Sequence, residues 1–249
     1  ATVQTNSSTG PITVETPNGS GSSAASFSVS PPPGGIARIG EIGRVSNTSG
    51  ATANQLSIIV GPAGVAAGNE VVVGVGAQSA ITVVSVTDSR GNAYNIDVAH
   101  QNAGAGKSTA AIAHAAVRSA LSPGDTITVT VSNGQSWGAI AESWTGLTSK
   151  DQTGSADTNG TPSASPSITT SGSTGSATEA VFSVLCVAGS TMIIKGASFA
   201  NFASMTMKNG SATRVLALES KVVTAVGVQT ATYTLAAAKN WTGIVATYA

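Results

Sequence analysis

The sequence predicts an all-β protein: an antiparallel β-sandwich preceded by an extended N-terminal arm. Three observations lead there. Strand-like runs recur at short intervals with turn formers between them. Gly, Ser, Thr, Ala and Val dominate, while the strong helix formers Glu, Lys, Gln and Leu are scarce. The stretch Ile81–Val98 reads as strand, turn, strand. Ile81–Val86 is rich in β-branched residues, Asp88-Ser-Arg-Gly-Asn92 is a turn cluster, and Tyr94, Ile96 and Val98 alternate with Asn95 and Asp97. That order predicts a β-hairpin.

Residues 1–38 read as an arm. Ile12–Val14 and Phe27–Val29 are short strand-like pieces among Gly, Ser, Asn and Pro, Pro31-Pro32-Pro33 favours a polyproline spacer, and Gly34-Gly35 supplies a swivel. Alone, such a segment buries too little apolar surface to offset its ordering entropy, so a neighbouring subunit is expected to fix it, the alternative being an arm folded back on its own domain. The assembly residues are therefore Ile12, Val14, Phe27, Val29, Pro31, Pro32 and Pro33.

A single sandwich is expected over 39–249. Its strands are Ile42–Ser46, Gln55–Val60 and Val71–Val75, then the hairpin of Ile81–Val98, then Ser108–Val117, which is Ala-rich but has no helix-cap signal. Ser122-Pro-Gly-Asp125 is a strong turn, and Ile127, Val129 and Val131 then alternate with Thr126, Thr128 and Thr130. Trp137–Gly146 follows. Thr148–Pro166 reads as a long polar loop, either functional or a divider between two halves of the sandwich. Strands resume at Ser167–Thr170, Glu179–Val187, Met192–Ala197, Thr213–Lys221, Val222–Leu235 and Trp241–Tyr248.

The chain of 249 residues has zero net charge, and 9% of its residues are charged against about 25% in ordinary soluble domains. A basic face for nucleic acid is not expected. No apolar run reaches about 18 residues, so no membrane insertion is expected either. The start, ATVQTNSSTG, has neither a basic n-region nor an apolar h-region, which fits a signal peptide already removed or a chain that lost only its methionine. An uncharged, hydroxyl-covered surface gains little solubility from charge repulsion and suits packing against other subunits.

No catalytic, cofactor or metal residues are assigned. Asn102-Ala-Gly-Ala-Gly106-Lys107-Ser108-Thr109 looks like the end of a phosphate-binding loop. It has Gln101 where the motif needs glycine, and it lies between strands, so a hairpin tip is expected. His100 and His114 have no carboxylate or cysteine cluster near them in sequence, a poor basis for a metal site. A triad of His114, Asp125 and a serine lacks a nucleophile-elbow pattern. Glu142, Asp151, Glu179 and Glu219 are scattered for paired-carboxylate chemistry. Trp137, Trp144, Trp241 and Cys186 sit in apolar strands and are expected in the core, Cys186 as an inert thiol.

Gly68-Asn-Glu-Val-Val-Val-Gly74, Val84-Ser-Val-Thr-Asp-Ser-Arg-Gly-Asn-Ala-Tyr94, Leu121–Val129 and Ala141–Leu147 together resemble the immunoglobulin-like sandwich domain of tailed-bacteriophage virion proteins: head decoration, head fibre and minor tail proteins. The resemblance covers about residues 40–147. It implies an immunoglobulin-like or jelly-roll-like sandwich and a structural, non-enzymatic role in a virion, as capsid decoration or tail component. It brings no catalytic residues. The implied partners are further copies of the chain, or capsid or tail neighbours. The alternatives are a secreted cell-surface filament subunit joined by strand addition and an adhesion module that takes a host-surface glycan.

Overall fold

A computed structural model of the chain describes residues 10–16, 19–27 and 35–249, apart from 48–52, 103, 105 and 135. Every regular element among them is a strand. Residues 1–35 form one unit, with β1 (Gly10–Thr16) and β2 (Gly19–Phe27) paired antiparallel so that Gly10 faces Phe27 and Val14 faces Gly21. The boundary falls between Gly35 and Ile36, three residues before the expected end of the arm.

The second unit, Ile36–Ala249, is compact. Its first half carries β3 (Ala37–Ser46), β4 (Gln55–Ile59), β5 (Glu70–Gln78), β6 (Val83–Asp88), β7 (Asn95–Asn102), β8 (Ser108–Ala116), β9 (Thr126–Val131) and β10 (Trp137–Thr145). Its second half carries β11 (Lys150–Asp157), β12 (Ser167–Ser173), β13 (Glu179–Ala188), β14 (Ile193–Ile194), β15 (Asn201–Asn209), β16 (Ala212–Val223), β17 (Val228–Thr232), β18 (Thr234–Leu235) and β19 (Trp241–Tyr248).

All-β antiparallel sandwich architecture is present, but in four layers rather than two. The halves share one topology. The five-stranded sheet β3-β10-β5-β8-β7 of the first half corresponds strand for strand to β11-β19-β13-β16-β15 of the second. The outer sheet β4-β9-β6 corresponds to β12-β17 together with β14-β18, where β17 and β18 are one strand broken at Tyr233. The ladders equate individual residues: Trp137 lies opposite Ala77 as Trp241 lies opposite Val187, and Trp144 opposite Arg38 as Tyr248 opposite Lys150.

The five-stranded sheets pack on one another around a pseudo-twofold axis. β3 lies across from β15 and β7 across from β11, which a twofold exchange of the halves requires. Near the axis the equivalent positions 74 and 184 meet, and so do 76 and 186. A Cβ on Gly74 would stand 2.8 Å from Val184 Cγ2, and one on Gly76 would stand 3.4 Å from Cys186 Sγ. Glycines on β5 thus receive larger side chains from β13.

Three core clusters fill the spaces between layers. Val71, Val73 and Val75 on β5 face Ile127, Val129 and Val131 of the first outer sheet. Val72, Ile112, Trp144, Phe182, Leu218 and Tyr248 fill the central layer between the halves. Val181, Leu185, Val245, Ile168 and Tyr233 fill the third. Strands β5, β10, β13 and β19 are buried on both faces, so they read as continuous apolar runs instead of alternating.

Several expectations change. Residues 81–98 are not a hairpin: β6 pairs with β9 in the outer sheet, β7 with β8 in the inner one, and the turn carries the chain across the sandwich. Asp88 fixes that crossover by accepting Arg90 and Asn92 N–H, and buried Asn92 ties it to Arg118 and Ser119. The polar stretch Thr148–Pro166 contains an edge strand, β11. Met192–Ala197 shrinks to β14, and Val222–Leu235 is divided among β16, β17 and β18. The strand Asn201–Asn209 is additional.

Candidate functional site

Polar chemistry collects at two pseudo-symmetric ends of the central layer. At one end, His114 Nδ1 lies 2.5 Å from Asp97 Oδ2, and Tyr248 O–H donates to the same oxygen at 2.6 Å. The His114 and Tyr248 rings meet edge to face at 5.1 Å. Glu70 stands nearby, and burial pushes its carboxyl up to about 7 against the pull of His114. Burial and the Asp97 charge together push the Tyr248 phenol well above its ordinary range.

At the other end, Glu142 is buried and ion-paired with Arg38, whose Nε lies 3.0 Å from Oε1, and it is reached by Trp144 Nε1–H at 3.1 Å and Ser220 O–H at 3.4 Å. Burial raises the Glu142 carboxyl, and Arg38 opposes that rise. Position 144 or 248 thus supplies an aromatic donor to a buried carboxylate at each end. Such clusters fix how the two halves register, because a slipped packing would strand a carboxylate.

The histidines do have carboxylate partners. His100 Nε2 lies 2.7 Å from Asp157 Oδ2, while Asp97 and Asp157 are 17 and 57 residues from their histidines in sequence. Asp125 does not join His114; it accepts from Arg90 Nε at 2.7 Å, and that bond lowers its pKa. Both histidines pair with carboxylates, an arrangement for holding elements together. Among the described residues, no group of three His, Cys, Asp or Glu side chains is placed to hold a metal.

The other candidates resolve as follows. Asn102–Ser108 is the tip between antiparallel β7 and β8, where Asn102 Oδ1 accepts Gly104 N–H at 2.8 Å. Of the four acids, Asp151 accepts the Gly175 N–H and Glu179 the Ser176 N–H at 2.9 Å, while Glu142 and Glu219 lie on opposite faces of their layers. Trp137, Trp144 and Trp241 are core residues, and burial pushes the Cys186 thiol up to about 12.

Of the assembly residues, Ile12 and Val14 fall within β1 and Phe27 ends β2; Val29, Pro31, Pro32 and Pro33 lie outside the described residues. Among the described residues β1 and β2 pair only with each other, which leaves the outer edge of each unpaired.

Sequence reasoning missed a cavity of about 110 Å3 at the edge strand β3. It is lined by Ile39–Ile42, the Gly61-Pro-Ala-Gly64 turn and Ser143. Ile39 at its mouth is 52% exposed, and nearby Ile59 is 67% exposed. Ser143 is buried with its Oγ lacking a hydrogen-bond partner, and Gly40 opposite it leaves open space where a side chain would stand. The only sequence signal is negative: Gly40 and the Gly61-Pro-Ala-Gly64 turn bring almost no side-chain volume.

Comparison with protein-family models, with curated proteins and with solved structures returned no match.

Proposed function

We propose that the chain is a structural, non-enzymatic subunit of a virion, a capsid decoration or tail component, whose N-terminal arm engages a neighbouring subunit by strand addition. The observation that carries this reading is the arm: a two-stranded unit in which, among the described residues, the outer edge of each strand is unpaired. A two-stranded hairpin is marginal alone and gains stability by joining a third strand. Strand addition draws affinity from backbone hydrogen bonds and needs no special side chain, which suits an arm made of Ser, Thr, Gly and Ala.

The body supports the same role. His100, His114 and buried Glu142 tie neighbouring strands and sheets together, which suits a structural module. The resemblance of residues 40–147 to virion sandwich domains adds the setting by analogy. Light scattering and negative-stain microscopy of the full chain against residues 36–249 test the reading. Oligomers or filaments that vanish with residues 1–35 are expected. Identical behaviour of the two chains would refute it.

A further inference from the structure

We propose that Asn159-Gly160 is a self-modification site, where the Gly160 backbone nitrogen closes on the Asn159 side-chain amide and residue 159 becomes aspartate or isoaspartate. The reactants are the chain itself and water, and the inference stands apart from the assembly reading above.

Four Asn-Gly pairs occur in the chain, at 18–19, 133–134, 159–160 and 209–210. The chemistry needs an amide side chain free to swing onto the following nitrogen, and a nitrogen not held elsewhere. Glycine hinders that approach least, because it has no Cβ and few forbidden dihedrals. Two of the described pairs fail the requirement. Asn133 is exposed, but Gly134 N–H donates to Asn54 Oδ1 at 2.7 Å, and a Cβ at Gly134 would collide with the Ala53 carbonyl. Asn209 is paired with Ala212 in the β15–β16 ladder and is not free. Asn18 lies outside the described residues.

Asn159-Gly160 meets the requirement. Asn159 is exposed, and among the described residues neither its side-chain amide nor the Gly160 N–H has a hydrogen-bond partner. The two residues form the corner of a turn closed by Thr161 N–H on Thr158 O at 2.9 Å, with φ of 44° and 89°. Positive φ at both corner positions is what Asn-Gly accommodates best. The other fastenings are made by neighbouring groups: Asp157 Oδ1 accepts the Asn159 N–H at 2.5 Å, and Thr158 Oγ1 donates to Asn240 Oδ1 at 3.0 Å. Rotating the corner to bring the nitrogen onto the amide carbon gives up a single turn hydrogen bond.

In the step, Gly160 N bonds to Asn159 Cγ, the Cγ–Nδ2 bond breaks, and the amide nitrogen leaves as ammonia with the proton that Gly160 N gives up. Water then opens the five-membered imide. Attack at Cγ gives aspartate; attack at the main-chain carbonyl gives isoaspartate, which adds one carbon to the backbone path. The turn lies on the seam between the halves. Asp157 pairs with His100 at 2.7 Å, and Thr158 Oγ1 accepts from Asn102 Nδ2 at 3.4 Å, both partners belonging to the first half. A new carboxylate two residues from Asp157, on a lengthened turn, weakens both seam contacts.

The test incubates the full native chain in mildly alkaline buffer, with a parallel sample in urea, and follows each Asn-Gly peptide by mass spectrometry and by isoaspartate-specific enzymatic methylation. In the native chain residue 159 should convert at least about fivefold faster than residues 133 and 209, the factor that one net hydrogen bond sets. In urea the three rates should converge. Asn159→Gly, which positive φ favours, should remove the fast product. The melting temperature of the aged chain should fall as product accumulates, while that of Asn159→Gly aged in parallel should hold. Equal native rates at the three positions, or conversion of residue 159 in urea alone, would overturn the site. Product that accumulates without any fall in melting temperature would overturn its effect on the seam.

Discussion

The pseudo-twofold packing of the two halves makes a quantitative prediction at Gly74 and Val184. Gly74→Ala places a methyl 2.8 Å from Val184 Cγ2 and 3.4 Å from Leu218 Cδ1, closer than packed carbons tolerate. Overpacking of this kind costs about 1–3 kcal/mol. Val184→Ala deletes two buried carbons, worth about 1.6 kcal/mol at about 0.8 per methylene, plus a cavity term. In the double variant the methyl added at position 74 occupies space that Val184 vacated. The loss should then fall short of the sum of the single losses by about 1–2 kcal/mol, well beyond the scatter of about 0.5 kcal/mol seen for independent sites. Any gain from restricting the unfolded chain at Gly74 enters the single and the double variant alike and cancels. Urea unfolding followed by tryptophan fluorescence reads the cycle, Trp144 lying within the same layer. Additive losses would refute the facing of β5 and β13 and, with it, the symmetry of the halves.

Other consequences are as specific. Gly154→Ala should be the most damaging single methyl in the second half, because its Cβ would stand 1.9 Å from the Thr169 carbonyl oxygen; a loss of at least about 3 kcal/mol in urea unfolding is expected. Burial pushes Glu219 up to about 7 from an ordinary 4.5, with Gly196 N–H, Lys195 and Lys221 opposing the rise. The folded state therefore holds the proton more tightly, and the stability it contributes is complete below about pH 4.5 and lost as pH rises through about 7. Glu219→Gln should flatten that decline and raise the melting temperature at pH 8; an unchanged pH profile would contradict the burial argument. Cys186, pushed up to about 12, should resist thiol reagents in the native chain and react fully in denaturant.

The half-buried strands are legible from sequence, as at β9, where Ile127, Val129 and Val131 are buried between partly exposed threonines. Strand existence is also clear for β13 and β19, whose apolar runs are bounded by turn formers. Which sheet each strand joins is not. The alternation in β6 and β7 reports one wet face for each, but nothing local states that Asp88 and Asn92 turn the chain between layers. The duplication is hidden because equivalent core strands share burial, not identity: Glu70–Ala77 and Ala180–Val187 have in common only the valine at 71 and 181. The recoverable signal is Trp137-x-x-Ile140 against Trp241-x-x-Ile244. The β11 edge strand reads as loop because Gly154 and its polar neighbours lack strand propensity; close approach to β12, which only glycine permits, keeps it there.

The histidine pairs lie out of reach of sequence for a similar reason. Asp97 belongs to the strand next to His114, and Asp157 to the opposite half of the molecule from His100, so only the assembled layers bring them together. The cavity at β3 is equally hidden, because its lining comes from three separate stretches of chain.

Hydrogen exchange at the backbone amides of β1 and β2 tests the account most directly, because those that face away from the partner strand are the groups that an added strand would cover. Slow exchange in the full chain at high concentration is predicted, with fast exchange on dilution. Equally fast exchange under both conditions would contradict strand addition by the arm.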